Sequence, residues 1–316
     1  MNYPAGKYHP LSNIVCFDDF NQGLNGWLPL TPNWRQDELD YFPSQRRHID
    51  WGTPMLSTAT FPYVGSHGAL QGTYSMKIPT RRVAAPAEDF PVAGSLGIGI
   101  KRLTILHRGM LKFEMWHAFK PEQDRPGIGE SDVRAVGFTW DIQDDEKRYF
   151  CGVRYMNAAN GKMQQRWQYL KAKEGTDEEW GEMGESAVGA EPGNSSHAKV
   201  YIQRGLGSEH LGRRDADGGG EGFADIIDGH QELCYNETPD KINWHYFAFT
   251  VDLAKREYVE LRSVNRTFNL RGIQPTLTEP YPRISFLLNP LLWVETDSDR
   301  RAFWFIDSIM ISMDEV

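Results

Sequence analysis

Residues 135 to 170 read AVGFTWDIQDDEKRYFCGVRYMNAANGKMQQRWQYL, and the spacing of their apolar residues decides the fold. Val136, Phe138, Trp140 and Ile142 share one side of an extended chain, while Thr139 and Asp141 share the other, which is the period of a half-buried strand. "YFCGVRYM" follows the turn-like "QDDEKR", and "GKMQQRWQYL" follows "NAANG". Short alternating runs punctuated by Asn, Asp and Gly are hairpin signals, so the three segments form a meander.

The same period recurs on both sides. In "MLKFEMWHAF" (110–119) Leu111, Phe113, Met115 and Phe119 share one face with His117, and Lys112, Glu114 and Trp116 occupy the other. "NWHYFAFTVDLAKREYVELRS" (243–263) reads as two strands around a short turn, with His245, Phe247, Phe249 and Val251 alternating against Trp244, Tyr246 and Thr250. "RISFLLN" and "FWFIDSIMIS" supply two more, the last with bulky apolar residues on both faces. Many short strands without βαβ alternation imply an all-β, two-sheet antiparallel sandwich, and 316 residues fit one such domain. Long inserted loops are expected near 79–100, 171–198 and 205–225, where Pro, Gly, Glu and Ser dominate. Trp140 and Trp304 are expected as core filler.

Composition excludes several functions. A net charge of −9, with no Lys/Arg cluster longer than short pairs such as Arg46-Arg47, Arg81-Arg82 and Arg213-Arg214, offers little attraction to nucleic acid or anionic membrane. No apolar run approaches the roughly 18 residues of a membrane span. The N-terminus shows no apolar leader, and the three cysteines, Cys16, Cys151 and Cys234, lack metal-ligand spacing; both features fit reduced thiols and a cytoplasmic location. Nine histidines without H-x-H or H-E-x-x-H spacing argue against a zinc enzyme.

"CFDDFNQGLNGW" (16–27), "GTYSMKIPT", "GMLKFEMWHAF", "AVGFTWDIQDDEKRYFCGVRY", "INWHYFAFTVDLAKREYVEL" and "FWFIDSIMIS", in this order, resemble the concanavalin A-like jelly-roll proteins. That superfamily spans lectin-like domains, carbohydrate-binding modules and laminarinase-type glycosidases, so the resemblance implies a jelly roll and a saccharide or glycoside ligand. The paired carboxylates of an E-x-D-x-x-E strand, found in laminarinase-like glycosidases, are absent. The resemblance also implies that the first and last strands lie together, with Asp18 or Asp19 and Asp307 helping to hold a structural Ca²⁺. Such an ion needs six to eight oxygen ligands, so backbone carbonyls and water would complete it. The alternative for Asp307 is a solvent, loop or arginine partner.

A saccharide site needs an aromatic platform beside hydrogen-bonding side chains. Trp116 with Lys112 and Glu114, Trp167 with Gln165, Trp140 beside Asp141, and Arg154 are the candidates, and a groove lined by Trp116, Glu114, Arg154 and Trp167 is the expected site. Glu114 is the expected acid/base group for hydrolysis or elimination, with His117 beside it; the bland reading is a solvated cross-strand ion pair for the first and a core histidine for the second. A second functional reading makes the aromatic face a subunit interface of a non-catalytic assembly protein, with a homo-oligomer as partner.

Overall fold

Alternation at period two becomes sixteen strands in the computed structural model, which describes residues 6–29, 52–57, 68–80, 95–122, 129–172, 222–233, 243–278, 280–297 and 300–315. They are β1 (Asn13–Asp18), β2 (Trp27–Pro29), β3 (Met55–Leu56), β4 (Met76–Pro79), β5 (Ser95–Lys101) and β6 (Met110–Pro121). There follow β7 (Ala135–Gln143), β8 (Arg148–Ala159), β9 (Lys162–Leu170), β10 (Phe223–His230), β11 (His245–Asp252) and β12 (Glu257–Ser263). The last are β13 (Arg266–Asn269), β14 (Thr276–Thr278), β15 (Leu287–Thr296) and β16 (Ala302–Met313).

The strands build two antiparallel sheets stacked as a sandwich. Sheet A runs β13-β12-β11-β6-β16-β4-β3, with β1 also on β16; sheet B runs β10-β9-β8-β7-β15-β5-β2, with β14 on β8. The meander β7-β8-β9 is the heart of sheet B, and the ends of the chain meet in sheet A, where Asp18 lies opposite Ile309. Among the described residues no helix is long and apolar enough to cross a membrane.

Between the sheets lies one apolar layer. Phe113 of sheet A stacks on Phe138 of sheet B with centroids 4.1 Å apart, and Trp140, Phe247, Phe249 and Trp167 close around them. Trp140 and Trp304 are core residues, as their apolar flanks imply. Pro290 is tolerated inside β15 because pairing with β5 begins only at Leu291.

The expected loops need correction in part. Residues 95–100 of the expected 79–100 loop belong to β5, and residues 223–225 of the expected 205–225 loop open β10. In "SLGIGIK" the glycines hide the alternation of Leu96, Ile98 and Ile100, and they are required because a Cβ on Gly97 would sit 2.0 Å from the Pro79 carbonyl oxygen. The rest of the three expected loops, apart from Pro79, Thr80, Lys171, Ala172 and Gly222, lies outside the described residues.

Candidate functional site

Asp307 sits at a bulge. In β16, Ile306 pairs with His117 and Ser308 with Trp116, so Asp307 is passed over and the strand changes parity: Trp304 and Ile306 face the core before it, Ile309 and Ile311 after it. This explains the apolar residues on both apparent faces. Its Oδ1 accepts the backbone N–H groups of Leu70 and Gln71 at 2.6 and 2.9 Å, and its Oδ2 accepts from Ser308. Burial raises its pKa, and the two backbone donors oppose that. Asp18 accepts the Trp27 indole N–H at 2.9 Å and pairs with Lys101 at 2.8 Å, while Asp19 closes a local turn with Asn21 N–H. A Ca²⁺ ion needs oxygen ligands, whereas Asp307 takes two backbone N–H groups and the Ser308 hydroxyl and Asp18 an indole N–H and an ammonium group, so the set does not fit the expected ion. Among the described residues no cluster of three or more His, Cys, Asp or Glu could hold a metal ion.

Lys112, Glu114 and Trp116 project from the outer face of sheet A, under a strap formed by residues 7–11. Glu114 is fully buried: its Oε1 accepts the His9 backbone N–H at 2.7 Å and the Tyr246 hydroxyl, with Lys112 Nζ 3.6 Å away. Lys112 donates to the His9 carbonyl at 2.5 Å, Trp116 to the Lys7 carbonyl at 3.3 Å, and Ser312 Oγ accepts the Leu11 N–H. Tyr8 joins Tyr246 and Met310 in a small cluster there and bonds to Ser308. The strap thus covers both the expected acid/base group and the aromatic face expected as an interface. Glu114 is not a solvated ion pair, and it meets no open space.

His117 points the other way, into the core. The Trp304 indole N–H donates to its Nδ1 at 3.1 Å, which leaves the proton of the neutral ring on Nε2. Burial, then the neighbouring His245, holds its pKa well below the usual imidazole value.

Asp141 and Arg154 occupy the outer face of sheet B. Asp141 is held by Arg148 through two bonds of 2.8 and 3.0 Å, with Tyr281 stacked on the guanidinium. Arg154 donates to Gln168 at 2.7 Å and lies 3.8 Å from Glu295, which also takes Arg134; Phe223 covers its plane at 4.1 Å. Asp141, Arg148, Arg154, Gln168, Glu295 and Arg134 are buried and Tyr281 is half-buried, so these side chains are closed off from a ligand. Gln165 turns through a positive φ of 52° and offers its carbonyl to the Gln231 N–H. Trp167 lies in the inter-sheet core and donates its indole N–H to Gln231. The expected groove of Trp116, Glu114, Arg154 and Trp167 is therefore not formed. Glu114 and Trp116 lie on one outer face, Arg154 on the opposite one, and Trp167 between the sheets.

Open space occurs instead at the edge where β10 and the β12–β13 hairpin meet. A depression of about 530 Å³ is lined by His230, Gln231, Glu232, Leu233, His245, Val264, Asn265 and Arg266. Local geometry builds it. The pairing of β10 with β9 slips between Asp225 and His230, Val264 takes a φ of 53° in the hairpin turn, and Arg266 ties the two edges by donating to the carbonyls of Asp228 and His230. Gln231 locks the back, accepting from Trp167, donating to the Ser263 carbonyl and receiving the Tyr155 hydroxyl on its own carbonyl. His245 enters from the core side; burial pulls its pKa down to about 4, so the ring is neutral at physiological pH. Of this set the sequence reading named only His245, as a residue of an alternating strand face, since the others carry no motif and come from three separate strand ends.

Solved structures similar in fold include the T. cruzi calreticulin globular domain, with 9% identity, a TM-score of 0.40 and coverage of 96% of this chain and 89% of that one. An alginate lyase from Chlorella virus shows 9% identity, a TM-score of 0.41 and coverage of 87% and 97%. The laminarinase catalytic domain from Thermotoga maritima shows 11% identity, a TM-score of 0.43 and coverage of 96% and 98%. Among curated proteins none matches the chain. Residues 1–315 match the family described as "Domain of unknown function (DUF6772)", and the chain belongs to that family.

Proposed function

We propose that the protein binds a saccharide in the depression between β10 and the β12–β13 hairpin. The observation that carries this is the convergence of hydrogen-bonding side chains, His230, Glu232, His245, Asn265 and Arg266, around open space floored by Leu233 and edged by Val264. Polyhydroxylated rings need such a mixture: directional donors and acceptors for hydroxyls, and apolar surface for C–H faces. The volume lies within the range of about 300–1,000 Å³ common to small-molecule sites. Neutral His245, whose N–H is engaged by the Leu233 backbone, can accept from one hydroxyl, and the Asn265 amide can donate and accept.

Isothermal titration of the full chain against mono- and disaccharides tests this. Saturable binding is expected, weakened about tenfold by His245→Ala or Asn265→Ala, the loss of one or two good hydrogen bonds. Glu114→Gln, under the strap on the outer face of sheet A and outside the lining of the depression, is expected to leave affinity unchanged. Absence of binding across the panel, or affinity that follows Glu114 and ignores His245 and Asn265, would overturn the reading.

A further inference from the structure

We propose that the ligand of this depression is an acidic saccharide, a uronic acid or its glycoside, with its carboxylate taken by Arg266. This rests on the saccharide reading above and adds the class of sugar.

Arg134, Arg148, Arg166 and Arg256 each meet a carboxylate, at 2.9, 2.8, 2.9 and 2.7 Å respectively. Arg266 does not. Its Nη2 donates to the Asp228 carbonyl at 2.7 Å, its Nη1 to the His230 carbonyl, and its plane lies over Phe268 at 5.0 Å. Main-chain carbonyls and a ring orient a guanidinium without neutralising it. Five N–H donors are available to an arginine, so donors remain after these two bonds. The group is half-buried at the rim of the depression, where a ligand carboxylate can reach it and where the attraction is screened less than on open surface. Planar two-point recognition of a carboxylate is what a guanidinium does best.

The remaining lining is compatible with a sugar ring attached to that carboxylate. Among the described residues Glu232 is the one acidic side chain lining the depression; it is exposed and makes no ion pair with Arg266. His245 is neutral and adds no charge at physiological pH. A simple inorganic anion would use Arg266 alone and leave His245, Asn265 and Leu233 without a role.

Titration calorimetry on the full chain compares galacturonate and glucuronate with galactose and glucose, with acetate as the anion lacking a ring. Uronate binding is expected to be about tenfold tighter than that of the parent sugar, the value of one charge-assisted contact, and to weaken as salt is raised. Arg266→Gln should abolish the preference, and Arg266→Lys, which keeps the charge and guards against an effect of folding, should retain part of it. Equal affinity for acid and parent sugar in the unaltered protein overturns this inference and leaves the saccharide reading standing. Acetate binding as tightly as uronate overturns the sugar class, and no binding of any sugar overturns both.

Discussion

His117 shows how a single residue in this core links burial to pH. The Trp304 indole holds its Nδ1, and burial beside His245 resists a positive charge on either ring. An unfolded chain protonates these histidines as pH falls through about 6.5, while the folded chain keeps them neutral to lower pH. The unfolded state therefore binds more protons in that window, and stability falls from about pH 6.5 down to the folded value of about 4 for His245, with His117 continuing the trend. His117→Gln, which keeps an acceptor for Trp304, is expected to lower the melting temperature at pH 7 slightly and to flatten its decline between pH 6.5 and 4. Parallel melting curves for the variant and the parent would show that His117 does not titrate in this way. At this scale the sequence was informative about chemistry and silent about partners. A carboxylate at Asp307 amid Phe305, Ile306 and Ile309 required a partner, yet its donors are backbone N–H groups 236 and 237 positions away, which leave no mark in composition.

Strand elements were legible wherever alternation ran unbroken. The face of Val136, Phe138, Trp140 and Ile142 packs into the core as read, and so does the face of Leu111, Phe113 and Met115. Where a strand changes parity the pattern misleads, because a bulge shifts every later side chain to the other face. β16 does this at Asp307, and β10 does it between Asp225 and His230. The bulge carboxylate has a measurable task, which is to anchor the turn at Leu70 and Gln71. Asp307→Ala leaves two backbone donors without their acceptor and is expected to cost about 1–3 kcal/mol, with faster amide exchange at residues 70 and 71. Asp307→Asn keeps an acceptor oxygen and should lose less. If alanine and asparagine are equally mild and exchange at 70 and 71 is unchanged, the anchor is not the reason for the bulge.

The whole molecule explains why the fold could be read and the open site could not. The fold follows from local periodicity, which each strand declares for itself, and the meeting of β1 with β16 agrees with the resemblance of the chain ends to a jelly roll. The depression is assembled from the end of β10, the start of β11 and the β12–β13 turn, segments whose proximity depends on both sheets being stacked. Of the residues expected to line a sugar groove, Glu114 and Trp116 fasten the strap, Arg154 closes the outer face of sheet B and Trp167 packs in the core. Hydrogen exchange read by mass spectrometry, on the full chain with and without saturating saccharide, tests the location of binding most directly. Protection is expected in peptides spanning His230–Leu233, His245 and Val264–Arg266; protection confined to Lys112–Trp116 or to Arg148–Gln168 would contradict the account.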